Sequence, residues 1–65
     1  MRGRYVWCVA QYEDGDDHGF SVPEDHLRRG DFILNSLARE NQRVGLLPPG
    51  RIKHAQRASP AGQSS

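Results

Sequence analysis

Arg4-Tyr5-Val6-Trp7-Cys8-Val9-Ala10-Gln11-Tyr12 is the stretch whose reading decides the fold. It is rich in aromatic and β-branched residues and contains no breaker, so it reads as a strand. Successive side chains of a strand point to opposite faces. One face therefore carries Tyr5, Trp7, Val9 and Gln11, the other Val6, Cys8, Ala10 and Tyr12. Both are largely apolar, which places the strand centrally in a sheet or leaves one face to be covered by a partner.

Working outward, Glu13 to Gly19 holds two glycines and three aspartates and reads as a turn, long enough to form a mobile hairpin tip. Gly19-Phe20-Ser21-Val22-Pro23 reads as a short second strand with Phe20 and Val22 facing the core. Pro23, which has no N–H to give, is expected to end the pairing. Glu24 to Arg29 fits one helical turn opened by Pro23 and interrupted by Gly30. Asp31 is the expected N-cap of a main helix from Phe32 to about Arg43. Ile33, Leu34, Leu37 and Ala38 give that helix an apolar stripe, extended toward Asn41 and Val44, and Gly45 suits its C-terminal cap. Leu46-Leu47-Pro48-Pro49-Gly50 reads as a stiff connector whose leucines cover the end of the core. Arg51 to Arg57 reads as a basic last strand at a sheet edge, anchored by Ile52 and guarded by charge. Ala58 to Ser65, built of Ser, Gly, Pro and Ala, is expected to be a disordered tail. The order strand, strand, helix, strand predicts an α+β domain over residues 1–57, one helix packed on a small antiparallel sheet.

The 65 residues allow a single domain, and the 17 large apolar ones make one thin core with no room for an enclosed ligand pocket. The one cysteine, Cys8, excludes an intrachain disulfide and reads as a small buried hydrophobe in a reducing, cytoplasmic setting. No stretch has the roughly 20 apolar residues of a membrane span. The run Tyr5 to Ala10 is too short and too aromatic for a signal peptide.

The formal net charge of +1 conceals a separation of signs. Six of eight carboxylates (Glu13, Asp14, Asp16, Asp17, Glu24, Asp25) fall within residues 12–25, and seven of nine cations follow from Arg28 onward. The acidic segment lacks the alternating ligands, glycine and terminal glutamate of a helix-loop-helix calcium loop. His18, His26 and His54 lack zinc-ligand spacing. Cys8, Ser21 and Ser36 have no partner motif, and the carboxylates sit on a solvated turn, so no catalytic residue, metal or cofactor is expected. What remains is binding by a surface. Clustered carboxylates beside exposed arginines speed encounter and fix orientation on a mixed-charge partner. Glu13, Asp14, Asp16 and Asp17 form one candidate contact set, and Arg28, Arg29 and Arg43 a second. The first strand from Arg4 through Tyr5 and Val6 to Trp7 forms a third, as an edge able to add a strand to a partner. The alternative is a small nucleic-acid-binding regulator, with arginines on phosphates and Tyr5 or Trp7 stacking on a base. The acidic hairpin and the low net charge oppose it.

Phe20-Ser21-Val22-Pro23, Leu47-Pro48-Pro49-Gly50-Arg51-Ile52 and the aromatic Tyr5-Val6-Trp7 give the chain a resemblance. Over about residues 4–57 it resembles a group of very small lytic-phage proteins that bind and inhibit host bacterial RNA polymerase. The arginine-rich composition suits a phage of a GC-rich host such as Xanthomonas. The resemblance implies a cofactor-free regulator in the host bacterial cytoplasm, and the chain is expected to be a monomer. Such a protein would bind a large polymerase subunit, need no nucleic acid, and obstruct initiation or displace the sigma factor. It implies the type of partner and no residue-level interface.

Overall fold

A computed structural model describes residues 4–58. The tail beyond Ala58 lies outside the described residues. Strands β1 (Tyr5–Tyr12) and β2 (Asp17–Pro23) form a hairpin. Short 3₁₀ turns at Glu24–Leu27 and Asp31–Ile33 lead into helix α1 (Leu34–Arg43), and β3 (Ile52–Arg57) closes the sheet. The result is an α+β domain, an antiparallel sheet in the order β2-β1-β3 with one packed helix.

The core forms on one face of the sheet because β1 alternates as its sequence predicts. Cys8, Ala10 and Tyr12 are buried, together with Phe20 and Val22 of β2, Leu34 and Ala38 of α1, and Leu27 and Leu47 of the connections. Ala10 and Ala38 are fully covered and Ala55, opposite Ala10, is half-buried. These small residues let α1 approach the sheet. Half-buried Ile33, Leu37 and Ile52 complete the packing.

The hairpin is tighter than the run of polar residues suggests. The Tyr12 N–H donates to the Asp16 carbonyl at 2.8 Å and the Gly15 N–H to the Tyr12 carbonyl at 3.0 Å. Gly15 takes φ +101°, as the last position of a three-residue hairpin loop requires. The Asp16 N–H also donates to Asp14 Oδ1. Gly19 is a strand residue paired with Val9, as expected, and the strand begins two residues earlier, since Asp17 and His18, expected in the turn, pair with Gln11 and Ala10. β2 ends at Pro23, the last residue paired with β1, but not for want of its N–H: one bond follows it, the Glu24 N–H donating to the Arg4 carbonyl at 2.9 Å. Backbone groups alternate in direction along an antiparallel strand. An inward N–H on Glu24 therefore puts the missing N–H of Pro23 on the outer edge, where it costs nothing.

Helix α1 starts later than its apolar stripe predicts. Asp31 does not cap it; Asp31–Ile33 is a 3₁₀ turn with no side-chain cap, and both Asp31 carboxylate oxygens accept from Arg57 Nε at 3.1 Å. At the other end Gly45 takes φ +90°. There the Leu46 N–H donates to the Asn41 carbonyl and the Gly45 N–H to that of Gln42, the paired bonds of a Schellman cap. The cap turns Val44 and Leu46 out to solvent while Leu47 enters the core.

Along β3 the register shifts between Gln11 and Tyr12. Gln11 faces His54 and Tyr12 faces Ile52, so Lys53 is the extra residue of a bulge. The bulge lets Ile52 and Ala55, three apart, both reach the core face. The outer edge is guarded by charge and also by α1, because Asn35 Oδ1 accepts from the Ala55 N–H at 2.8 Å. The ladder continues one residue past the expected strand end, where the Ala58 N–H donates to the Trp7 carbonyl at 2.9 Å.

Candidate docking face

Among the described residues the sheet has a helix on one side and none on the other. The uncovered face carries Tyr5, Trp7 and Val9 along its central strand, with Tyr5 70% and Trp7 58% exposed. The register sets Pro23 beside Tyr5, Ser21 beside Trp7, and Gly19 and Gln56 on either side of Val9. Next come Asp17 and His54 on either side of Gln11. Asp17 is the one carboxylate in this set, and no arginine or lysine stands in it. The face is an aromatic strip with a neutral polar margin, acidic at one end where it meets the hairpin tip. Aromatic residues ringed by uncharged polar ones characterise the centres of protein interfaces.

Trp7 is held in place. A Cβ built on Gly19 would stand 2.1 Å from Trp7 Cζ2 and 2.7 and 2.8 Å from Cε2 and Cη2. Such distances to three adjacent ring atoms put that point over the ring rather than beside it. The indole therefore lies across Gly19, the diagonal neighbour on β2, with its other side to solvent. This is aromatic cover of a strand glycine, and it fixes the ring as a flat platform.

The candidate sets are distributed as follows. Glu13, Asp14, Asp16 and Asp17 are all exposed at or beside the hairpin tip. Among the described residues the ion pairs are Arg28–Asp25, Arg43–Glu40 and Arg57–Asp31, and none engages those four carboxylates. The arginine set spans the main helix: Arg28 and Arg29 precede α1 and Arg43 closes it, α1 itself being a ten-residue helix about 15 Å long. Arg28 lies 3.9 Å from Asp25, and Arg43 is held by Glu40, which raises the Arg43 pKa. Arg29 lines a shallow hollow with His26, Ile33 and Leu37, next in chain to Phe32, which is 72% exposed.

The third set is corrected in its mode of action. β1 is the central strand, so Arg4 to Trp7 is no sheet edge on the β2 side. Trp7 is flanked by Ser21 on one side and bonded to Ala58 on the other. Strand addition is closed at Trp7, while on the β3 side no described residue pairs with Arg4 to Val6. What Tyr5 and Trp7 offer is a face, while Val6 turns toward the core. Val9 and Gly19 belong to the same face and were missed as site residues. The alternation of β1 would have supplied Val9, but Gly19 follows only from the register.

Among the described residues Cys8, Ser21 and Ser36 make no side-chain hydrogen bond to a histidine or carboxylate. The Cys8 thiol is fully buried, and burial pushes its pKa up, an effect the nearby Arg57 partly opposes and Asp31 reinforces. It is poorly disposed to act as a thiolate nucleophile. Among the described residues no three His, Cys, Asp or Glu side chains gather into a possible metal site. No helix among them is long and apolar enough to cross a membrane. The chain matches no protein-family model, no curated protein and no solved structure.

Proposed function

We propose that this chain is a non-catalytic regulator that docks on another protein through the open face of its sheet. We propose bacterial RNA polymerase as the partner, with inhibition of initiation as the outcome. The observation that carries the docking reading is the strip Tyr5-Trp7-Val9, solvent-facing on the central strand and ringed by uncharged side chains. Tyrosine and tryptophan dominate binding energy where they are rigid and become fully desolvated, and Trp7 is already seated on Gly19. The polymerase assignment rests on the resemblance carried by Phe20-Ser21-Val22-Pro23 and Leu47-Pro48-Pro49-Gly50-Arg51-Ile52. Inhibition then follows from occupancy, with the chain covering a surface that the sigma factor or promoter complex needs.

One observation favours the second reading. Aromatic side chains on the central strand of an antiparallel sheet, away from its helix, are the arrangement with which RNA-binding sheets stack bases. That reading asks for cations around the aromatics, and this face has none in its ladder positions. The two readings separate in one experiment, affinity capture from nuclease-treated bacterial lysate with the tagged full chain. Retention of the large polymerase subunits supports docking on polymerase. Capture that depends on nucleic acid, or that yields nucleic acid without polymerase, overturns it.

A further inference from the structure

Resting on the protein-docking reading, the same face carries information about the shape and charge of its occupant. A sheet face is covered by a helix, as the other face is by α1, or by a second sheet, whereas an extended segment adds at its edges; a strip only one strand wide, Tyr5, Trp7 and Val9, suits a single helix. Strand residues rise about 3.3 Å each, so Tyr5 to Val9 spans about 13 Å, the length of about nine helical residues at 1.5 Å each. About 7 Å beyond Val9 the strip reaches Gln11 and Asp17, where the carboxylates begin. Those of Glu13, Asp14, Asp16 and Asp17 enter none of the ion pairs among the described residues. Such a cluster next to an uncharged strip is complemented by cations at one end of an apolar element. We infer that the occupant is a basic amphipathic α-helix of the partner protein. Its apolar stripe covers Tyr5, Trp7 and Val9, and its lysines or arginines lie in the next one to two turns, over the acidic tip.

Other occupants fit less well. A nucleic-acid backbone would lie against the carboxylates with no ladder cation to offset them. A second copy of this chain brings the same acidic end, with no cation in the ladder positions of its face to meet it.

The test is selection from a displayed library of random peptides of about eighteen residues on the immobilised full chain, with salt elution. The expected winners carry apolar residues at i, i+3 or i+4, and i+7, followed by clustered lysine or arginine, and become helical when bound. Trp7→Ala should weaken the best winner by more than about tenfold, the loss of a central aromatic anchor. Selection on Asp16→Lys/Asp17→Lys should turn the preference of the charged end from basic to acidic. Circular dichroism of each variant checks that the fold is retained. Several results overturn the inference: no enrichment, winners that are extended or proline-rich, winners indifferent to the charge reversal, or tighter binding of oligo(dT) than of any peptide. A dimer in sedimentation equilibrium that Trp7→Ala dissolves also overturns it, in favour of a second copy. Polymerase capture without helical winners removes this inference and leaves the docking reading standing. Helical winners without polymerase capture remove only the polymerase assignment.

Discussion

Replacing Gly19 by alanine should destabilise the protein while Trp7 is present and stabilise it once Trp7 is gone. Gly19 is not among the positive-φ glycines, so alanine fits the backbone and saves chain entropy, worth roughly 0.5–1 kcal/mol inside a strand. Against this, the new methyl would fall 2.1 Å from Trp7 Cζ2, and the indole must leave. Trp7 is 58% exposed, so about two-fifths of a side chain of roughly 250 Å² is covered, about 100 Å². At about 25 cal/mol per Å² that cover is worth at most about 2.5 kcal/mol. The expected result for Gly19→Ala is a net loss of about 1–2 kcal/mol, or about 4–16 °C in Tm for a domain this small. In a Trp7→Ala background the same substitution should gain about 0.5–1 kcal/mol. Urea unfolding of the four proteins, followed by far-UV circular dichroism, closes the double-mutant cycle. A coupling within about 0.5 kcal/mol of zero would mean that the ring does not rest on Gly19, and the reasoning that makes it a fixed platform would be wrong.

Three further outcomes follow from the packing. Tyr12→Phe removes the hydroxyl that donates to the Pro48 carbonyl at 2.6 Å and lies 3.4 Å from Gln42 Nε2; chemical denaturation should show a loss of about 1 kcal/mol, and an unchanged midpoint would deny that the connector is tied to β1. Gly45→Ala forces φ +90° on a residue with a Cβ, and a loss of about 1 kcal/mol in the same assay is expected; no loss would contradict the Schellman cap. The raised Cys8 pKa means that above about pH 9, its ordinary value being 9.0, the unfolded thiol loses its proton while the folded one keeps it. Stability should therefore fall as pH rises from there toward the folded pKa, and by less in Cys8→Ala measured against its own neutral-pH value. Equal alkaline losses in the two proteins would contradict the buried thiol.

The parts of the fold that the chain states locally were legible. The alternation of Tyr5 to Tyr12 defined both faces of the central strand, and Gly45 marked the helix end, because each depends on neighbouring residues alone. Non-local contacts were not legible. Asp31 has the chemistry of a cap, but its carboxylate is taken by Arg57, 26 residues later. Asp16-Asp17-His18-Gly19 has the composition of a loop, yet pairing with β1 draws all but Asp16 into β2. For the candidate site, the aromatic residues and the acidic cluster were readable as types. Their joining into one strip depends on the hairpin register, and so does the glycine beneath Trp7. Arg28, Arg29 and Arg43 look alike in sequence, and only the fold shows that the first two precede α1 while Arg43 closes it.

The central claim is that the solvent side of Trp7 becomes covered when the partner binds. The chain has one tryptophan, so incorporating 5-fluorotryptophan gives a single ¹⁹F resonance reporting on that ring alone. On titration with purified, nucleic-acid-free bacterial RNA polymerase, that resonance should shift and broaden in step with complex formation seen by gel filtration, and should lose its sensitivity to solvent isotope. A complex that forms while the resonance keeps its free position and its solvent isotope effect would place the interface elsewhere and contradict the account.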